Sequence, residues 1–424
     1  MINFKILILV FSLLIFNKCD SPRSRNNPLD PNFTSERILM VPNQFNTIQE
    51  AIHNAFDGDT IFITQDVIGS GNRDITFEGK SLVITGQIPY NKGGLRPKIN
   101  CNFQGRGFYL DNSNIGDSIV IESLVIENGF NIGGGIYIDG NGFKDTQKLK
   151  INNVLINQCV SPQAGGGLYI TNFPNIEHQF SNLTIESCQS NTQGGGIEIF
   201  NEFGKNITIN FCNLDLTNNT SVDAGGGLSG RGSSIITING LRCHNNRVEG
   251  GQYFSEGGCM SVTNIILKNA EIHNNFSQSG GGGIYANANF VDLNNVNISN
   301  NASDGAGGGL YLSGEIDSLI AINQVALEGN TALGNGGGLY ISATEDDVSI
   351  NVSNVILYDN VANDRGGGMY IQSAYGAWGK IADILIENVT LSSNTSNQLG
   401  GGICIRDMNV LLKNAIIWNN IPES

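Results

Sequence analysis

Clusters of consecutive glycines recur along the chain, ending at Gly135, Gly167, Gly196, Gly227, Gly283, Gly309, Gly338, Gly368 and Gly402, and a degenerate copy, EGGCM, ends its pair at Gly258. A glycine run weakens helices and strands alike, so its repetition implies a backbone that must turn or pack closely at the same place each time. Neighbouring clusters lie 25 to 34 residues apart. That spread excludes a helical repeat of fixed length and suits stacked coils whose loops vary.

Composition closes off the main alternatives. Charged residues make up 14% of the 424-residue chain and hydrophobic ones 40%, the wrong balance for disorder. Glycine without a three-residue period or abundant proline excludes collagen. The formal charge of −15 argues against nucleic-acid or anionic-membrane surfaces as partners, since both require clustered cations.

Aligning the coils on their glycines exposes alternating segments upstream, such as INNVLINQC, LNNVNISNN and VSNVILYDN, which read as strands with one buried face. Their last position is Gly129, Cys159, Cys188, Asn219, Asn246, Asn275, Asn301, Asn330, Asn360, Asn394 and Asn420. Cysteine is among the most buried residue types, so this column is expected to point inward, with stacked asparagines bonding one another in a structural ladder. A second asparagine column stands six residues earlier: Asn153, Asn182, Asn213, Asn269, Asn295, Asn354, Asn388 and Asn414.

The strand after each cluster alternates too. Its middle position holds Tyr137, Tyr169, Glu198, Ser229, Tyr285, Tyr311, Tyr340, Tyr370 and Cys404. Period two sends this position away from the core, and Glu198 and Ser229 mark that face as wet. The six tyrosines are then an external stripe, spaced about 4.8 Å apart, with two readings: a glycan-stacking surface, or aromatic pairing that strengthens the rungs.

Residues 1–19 read as a signal peptide. Lys5 precedes an apolar run from Ile6 to Phe16 that is too short to span a bilayer. Cys19 resembles the lipidation site of bacterial lipoproteins, with Lys18 where that family prefers a small residue. Residues 20–38 are polar, hold Asn and Pro, and read as a flexible tether. Residues 39–424 are the folded part, with an N-terminal cap over 41–63 and glycine repeats over about 120–424. In the cap, Thr47 and Glu50 form a capping box, and Ile48, Ala51, Ile52 and Ala55 form a helical stripe. The sequence stops at AIIWNNIPES, just past the ladder residue Asn420, with no visible cap, so truncation or an exposed last coil is expected.

The segment TIQEAIHNAFDGDTIFI, followed by DITFEGKSLVITG, resembles the opening of right-handed parallel β-helix proteins of the pectin lyase-like superfamily. The GGGIY units with an upstream asparagine resemble the repeats of chlamydial polymorphic outer membrane proteins. The resemblance covers roughly residues 39–424 and implies an all-β fold, a right-handed parallel β-helix of about 10–12 coils with an N-terminal capping helix. It constrains function weakly, because such a fold hosts many roles.

Enzymes of that superfamily imply clustered Asp with Arg or Lys, and calcium in some. Asp223, Asp304 and Asp364 fall in equivalent loops of non-adjacent coils, too far apart to share one ion. Glu345, Asp346 and Asp347 read as a solvated turn. His244 and His273 share a slot with Ser299, Glu328, Tyr358 and Trp418, so that slot reads as surface, and Arg106, Arg231, Arg247 and Arg365 are scattered. Beyond Cys19 the seven cysteines show no metal spacing. Free buried thiols are the expectation, with Cys159 and Cys188 the one candidate bond. No catalytic residue and no metal site are assigned, and calcium is kept only as an option. The expected role is an exported, lipid-anchored protein of the outer membrane or cell surface. Its binding or adhesive surface would face an extracellular glycan or another surface protein. A polysaccharide lyase or hydrolase and a purely structural spacer are the alternatives.

Overall fold

The computed structural model describes residues 37–86, 96–201, 207–250, 255–343, 348–373 and 383–422. The signal segment, Cys19 and nearly all of the tether lie outside these residues, as do Glu345, Asp346 and Asp347. The folded part is an all-β parallel solenoid of right-handed type with about eleven coils. The one helix among the described residues, Ile48–Asn54, buries Ile48, Ala51 and Ile52 at the N-terminal end. The capping box is half formed. Thr47 Oγ1 accepts from the Glu50 amide, but the Glu50 carboxylate takes the amide of Asn46, not that of Thr47.

Most coils repeat three strands in register with the coils before and after, and in Met260–His273, Ile284–Ser299 and Leu310–Glu328 the glycine-led strand runs on into the long one. The long strand is represented by Thr208–Thr217, the short one by Thr220–Ser221 and the glycine-led one by Leu228–Gly232. Every strand pair in the registers is parallel, and residues of one type fall on one line: Leu183, Leu214 and Leu241 pair in sequence inside the core. The core is a continuous file of Ile, Leu and Val running the length of the rod. The last long strand, Val410–Trp418, lies open, with Leu411, Ile416 and Trp418 exposed.

The inner asparagine column is the predicted ladder. Asn219, Asn246, Asn275, Asn301, Asn330, Asn360 and Asn394 are buried, and Asn420 nearly so. From Asn246 onward each Oδ1 accepts from the backbone N–H and the Nδ2 of the preceding coil, as Asn360 Oδ1 does from Asn330 at 3.0 Å for both, while Asn219 Oδ1 accepts the backbone N–H of Cys188. Each Nδ2 also donates back to a core-strand carbonyl, Asn360 to Leu327 at 2.9 Å. All polar atoms of these buried amides are thereby satisfied. Cysteine fits the same place in the earlier coils because sulfur reproduces the pattern more weakly: the Gly129 amide donates to Cys159 Sγ at 3.4 Å.

The glycine triplet is needed one residue at a time. Gly366 has φ +67°, which a side chain rarely adopts. A Cβ on Gly367 would meet the carbonyl oxygens of Thr395 and Gly401 in the next coil, and one on Gly368 would press on the Asn394 amide at 3.0 Å. The triplet is therefore the corner at which coil backbones touch, packed against the ladder.

Two expectations are corrected. The face that carries the tyrosines is partly covered: Glu198 and Ser229 are fully buried, Tyr370 is 1% exposed and Tyr340 6%, while Tyr137, Tyr169, Tyr285 and Tyr311 are half-buried. The reason is the loop column ahead of the glycines, where Gly280 and Ala306 follow one another in parallel bridges and the rings of Tyr285 and Tyr311 lie against the backbone at Gly280. Period two detects the core on one side of a strand and is blind to a loop covering the other. The cysteines are not all free either, since Cys243 and Cys259 are joined in a disulfide. Cys159 and Cys188 are free and buried.

Candidate functional site

The second asparagine column bends every long strand. Asn153, Asn182, Asn213, Asn269, Asn295, Asn354, Asn388 and Asn414 all have φ between 50 and 57°, and Gly240 and Gln324 take the same left-handed conformation in their coils. Asparagine tolerates this region because its short polar side chain bonds locally. The register passes over each bend: Ser181 pairs with Cys212 and Leu183 with Leu214, while Asn182 and Asn213 pair with nothing through the backbone. Repeated coil after coil, the bends form a groove of about 860 Å³ along the rod.

Its floor is a line of exposed carboxamides. Asn213 Nδ2 donates to Asn182 Oδ1 at 3.0 Å, and Asn295 Nδ2 to Asn269 Oδ1 at 2.7 Å. One wall is the register line Thr184, Asp215, Arg242, Glu271, Asn297 and Ala326, one residue per coil. Arg96 reaches in at the N-terminal end and donates from Nη1 to the Asn153 carbonyl at 3.4 Å.

At mid-groove the wall carries charge. Arg242 Nη2 donates to Asp215 Oδ2 at 2.6 Å, and the other oxygen of Asp215 accepts from Thr217 Oγ1 at 2.7 Å. Glu271 is the register partner of Arg242 on the far side. Beside this wall the imidazoles of His244 and His273 stack, with centroids 4.9 Å apart and planes 2° from parallel. Burial and the neighbouring His244 hold His273 below the usual histidine range, opposed by Glu271. The slot is surface, as its varied occupants implied: Glu328, Tyr358 and Trp418 are exposed. Among the described residues no group of three or more His, Cys, Asp or Glu is placed to hold a metal.

The tyrosines form two files. Tyr109, Tyr137 and Tyr169 stack at 5.2 and 5.5 Å, and Tyr285, Tyr311, Tyr340 and Tyr370 at 4.6, 4.6 and 5.5 Å. Rings this close and nearly parallel touch one another along the rungs, which favours aromatic pairing. Tyr340 and Tyr370 are buried, while Tyr137, Tyr169, Tyr285 and Tyr311 are half-buried. Sequence reasoning passed over the groove's wall entirely. Its signal was the outward position two residues ahead of the histidine slot, where Asp215, Arg242 and Glu271 fall in three successive coils. Compared with models of protein families, with curated proteins and with solved structures, the chain matches none.

Proposed function

We propose that the protein is an exported surface protein, anchored through Cys19 and the tether, whose solenoid binds an extracellular glycan along the groove. The observation that carries this reading is the groove itself, a channel lined by carboxamides and by apolar residues such as Leu183, Leu214 and Leu241, which many coils build together and no single coil could supply. The parallel solenoid with its N-terminal helix supports a place in the pectin lyase-like superfamily, and the glycine corner supports kinship with polymorphic outer membrane protein repeats. A second reading, hydrolysis or elimination of the bound glycan, is favoured by Asp215, Arg242 and Glu271 standing side by side in the groove wall. Two carboxylates two coils apart are separated by roughly 9–10 Å, near the spacing of inverting glycosidases.

Retention of the purified chain on a set of immobilised polysaccharides tests both. Binding that is weakened at least tenfold by Thr184→Ala with Asn297→Ala supports the groove. Retention on none of them, or retention indifferent to those changes, sinks the reading and leaves a spacer. Release of reducing or unsaturated ends that is abolished by Glu271→Gln would establish the enzyme.

A further inference from the structure

Resting on that reading, we infer that the groove selects uncharged, polyhydroxylated chains laid parallel to the solenoid axis, and that affinity is set by the number of coils they span. The floor explains the selection. A primary carboxamide has two N–H donors and two acceptor lone pairs. Along the floor Asn213 donates to Asn182 and Asn295 to Asn269, while Asn182 and Asn269 give their own N–H to Asn152 and Asn239 beside the floor. Asn182, Asn213, Asn269 and Asn295 each keep one N–H and acceptor capacity toward the groove, and Gly240 interrupts the file. A hydroxyl is also one donor with acceptor capacity, so a chain bearing hydroxyls along its length can satisfy these groups in turn. A carboxylate offers acceptors only and would leave the amide oxygens unsatisfied.

Charge points the same way. The groove lining has two cations, Arg96 and Arg242, and two carboxylates, Asp215 and Glu271. Arg242 is already paired with Asp215 at 2.6 Å. A polyanion entering this site would have to break that pair, against the field of a molecule of formal charge −15. Among the described residues no aromatic ring lines the groove, so none of these subsites dominates through stacking. Binding must then accumulate from weak contacts. From Asn153 to Gln324 the floor covers seven coils, or six rises of about 4.8 Å, roughly 29 Å in all.

The experiment is calorimetric titration of the full chain with neutral gluco-, xylo- and manno-oligosaccharides of increasing length, and with oligogalacturonates of matching lengths, at low and high salt. The expected result is affinity for a neutral series that rises at least tenfold from the disaccharide, levels off when the ligand reaches roughly 29 Å, and is unmoved by salt. Thr184→Ala with Asn297→Ala should lower the plateau while leaving the circular dichroism spectrum unchanged. Oligogalacturonates that bind as tightly as the neutral series, or neutral affinity that does not grow with length, overturn the inference while leaving glycan binding intact. Failure of every series to bind overturns the reading beneath it as well.

Discussion

Glu198 stands in the column where seven other coils carry tyrosine, and it is fully buried. Its Oε1 accepts from Arg231 Nε at 2.9 Å and Nη2 at 2.7 Å, while Oε2 has no hydrogen-bond partner among the described residues. Burial pushes its carboxyl up to about 7, against the pull of the Arg231 guanidinium. The folded protein therefore holds a proton that the unfolded chain, with an ordinary carboxyl near 4.5, has released. Stability from this group is highest below pH 4.5 and falls as pH rises toward 7, by about 3 kcal/mol across the window. Glu198→Gln removes the ionisation and should flatten the dependence of the urea midpoint on pH between 5 and 7. An unchanged slope in the variant would show that Glu198 stays ionised in the fold.

Two columns of asparagine, six residues apart and equal in period, meet different constraints. Asn330 is buried with its amide fully bonded, so Asn330→Gly strands the N–H and Nδ2 of Asn301 and should cost about 3 kcal/mol or more. Asn354 has φ +56° and an exposed side chain, so Asn354→Gly should change stability by less than about 0.5 kcal/mol. Comparing the two by chemical denaturation separates ladder from bend, and equal losses would refute the distinction. The inner ladder was legible in the sequence because few residues fit a buried corner, and the column accepts only Asn, Cys or Gly. The glycine corner was legible for the same reason. The groove was not. Its wall faces solvent, where Thr184, Asp215, Arg242, Glu271, Asn297 and Ala326 meet no common packing demand and leave no compositional trace. The tyrosine stripe was visible but its partial cover was not, since the loop column against which Tyr285 and Tyr311 lie is set by coil stacking rather than by alternation.

The whole molecule is a stack in which each coil touches its neighbours, so stability is close to a sum of coil and interface terms. Excising residues 302–330, from the position after Asn301 through Asn330, removes one full coil and brings Thr331 next to a ladder asparagine. That variant should fold, with a circular dichroism spectrum per residue like the parent's and a transition within a few degrees. Excision of 302–316, about half a coil, puts core positions on the wrong face and should abolish cooperative unfolding. Equal outcomes for the two deletions would contradict the nearest-neighbour picture.

The buried ladder also gives the rod an electrical direction. Every Oδ1 from Asn219 to Asn420 faces the coil before it, and from Asn219 to Asn394 every Nδ2 gives a proton to the coil after. Eight carboxamide dipoles thus lie head to tail on one line, each polarising the next, within walls of strand whose own dipoles largely cancel. Their sum leaves the N-terminal end of the file negative and the C-terminal end positive, as a helix does with reversed sign. A sheet protein has in this way acquired an axial field without a helix to carry it.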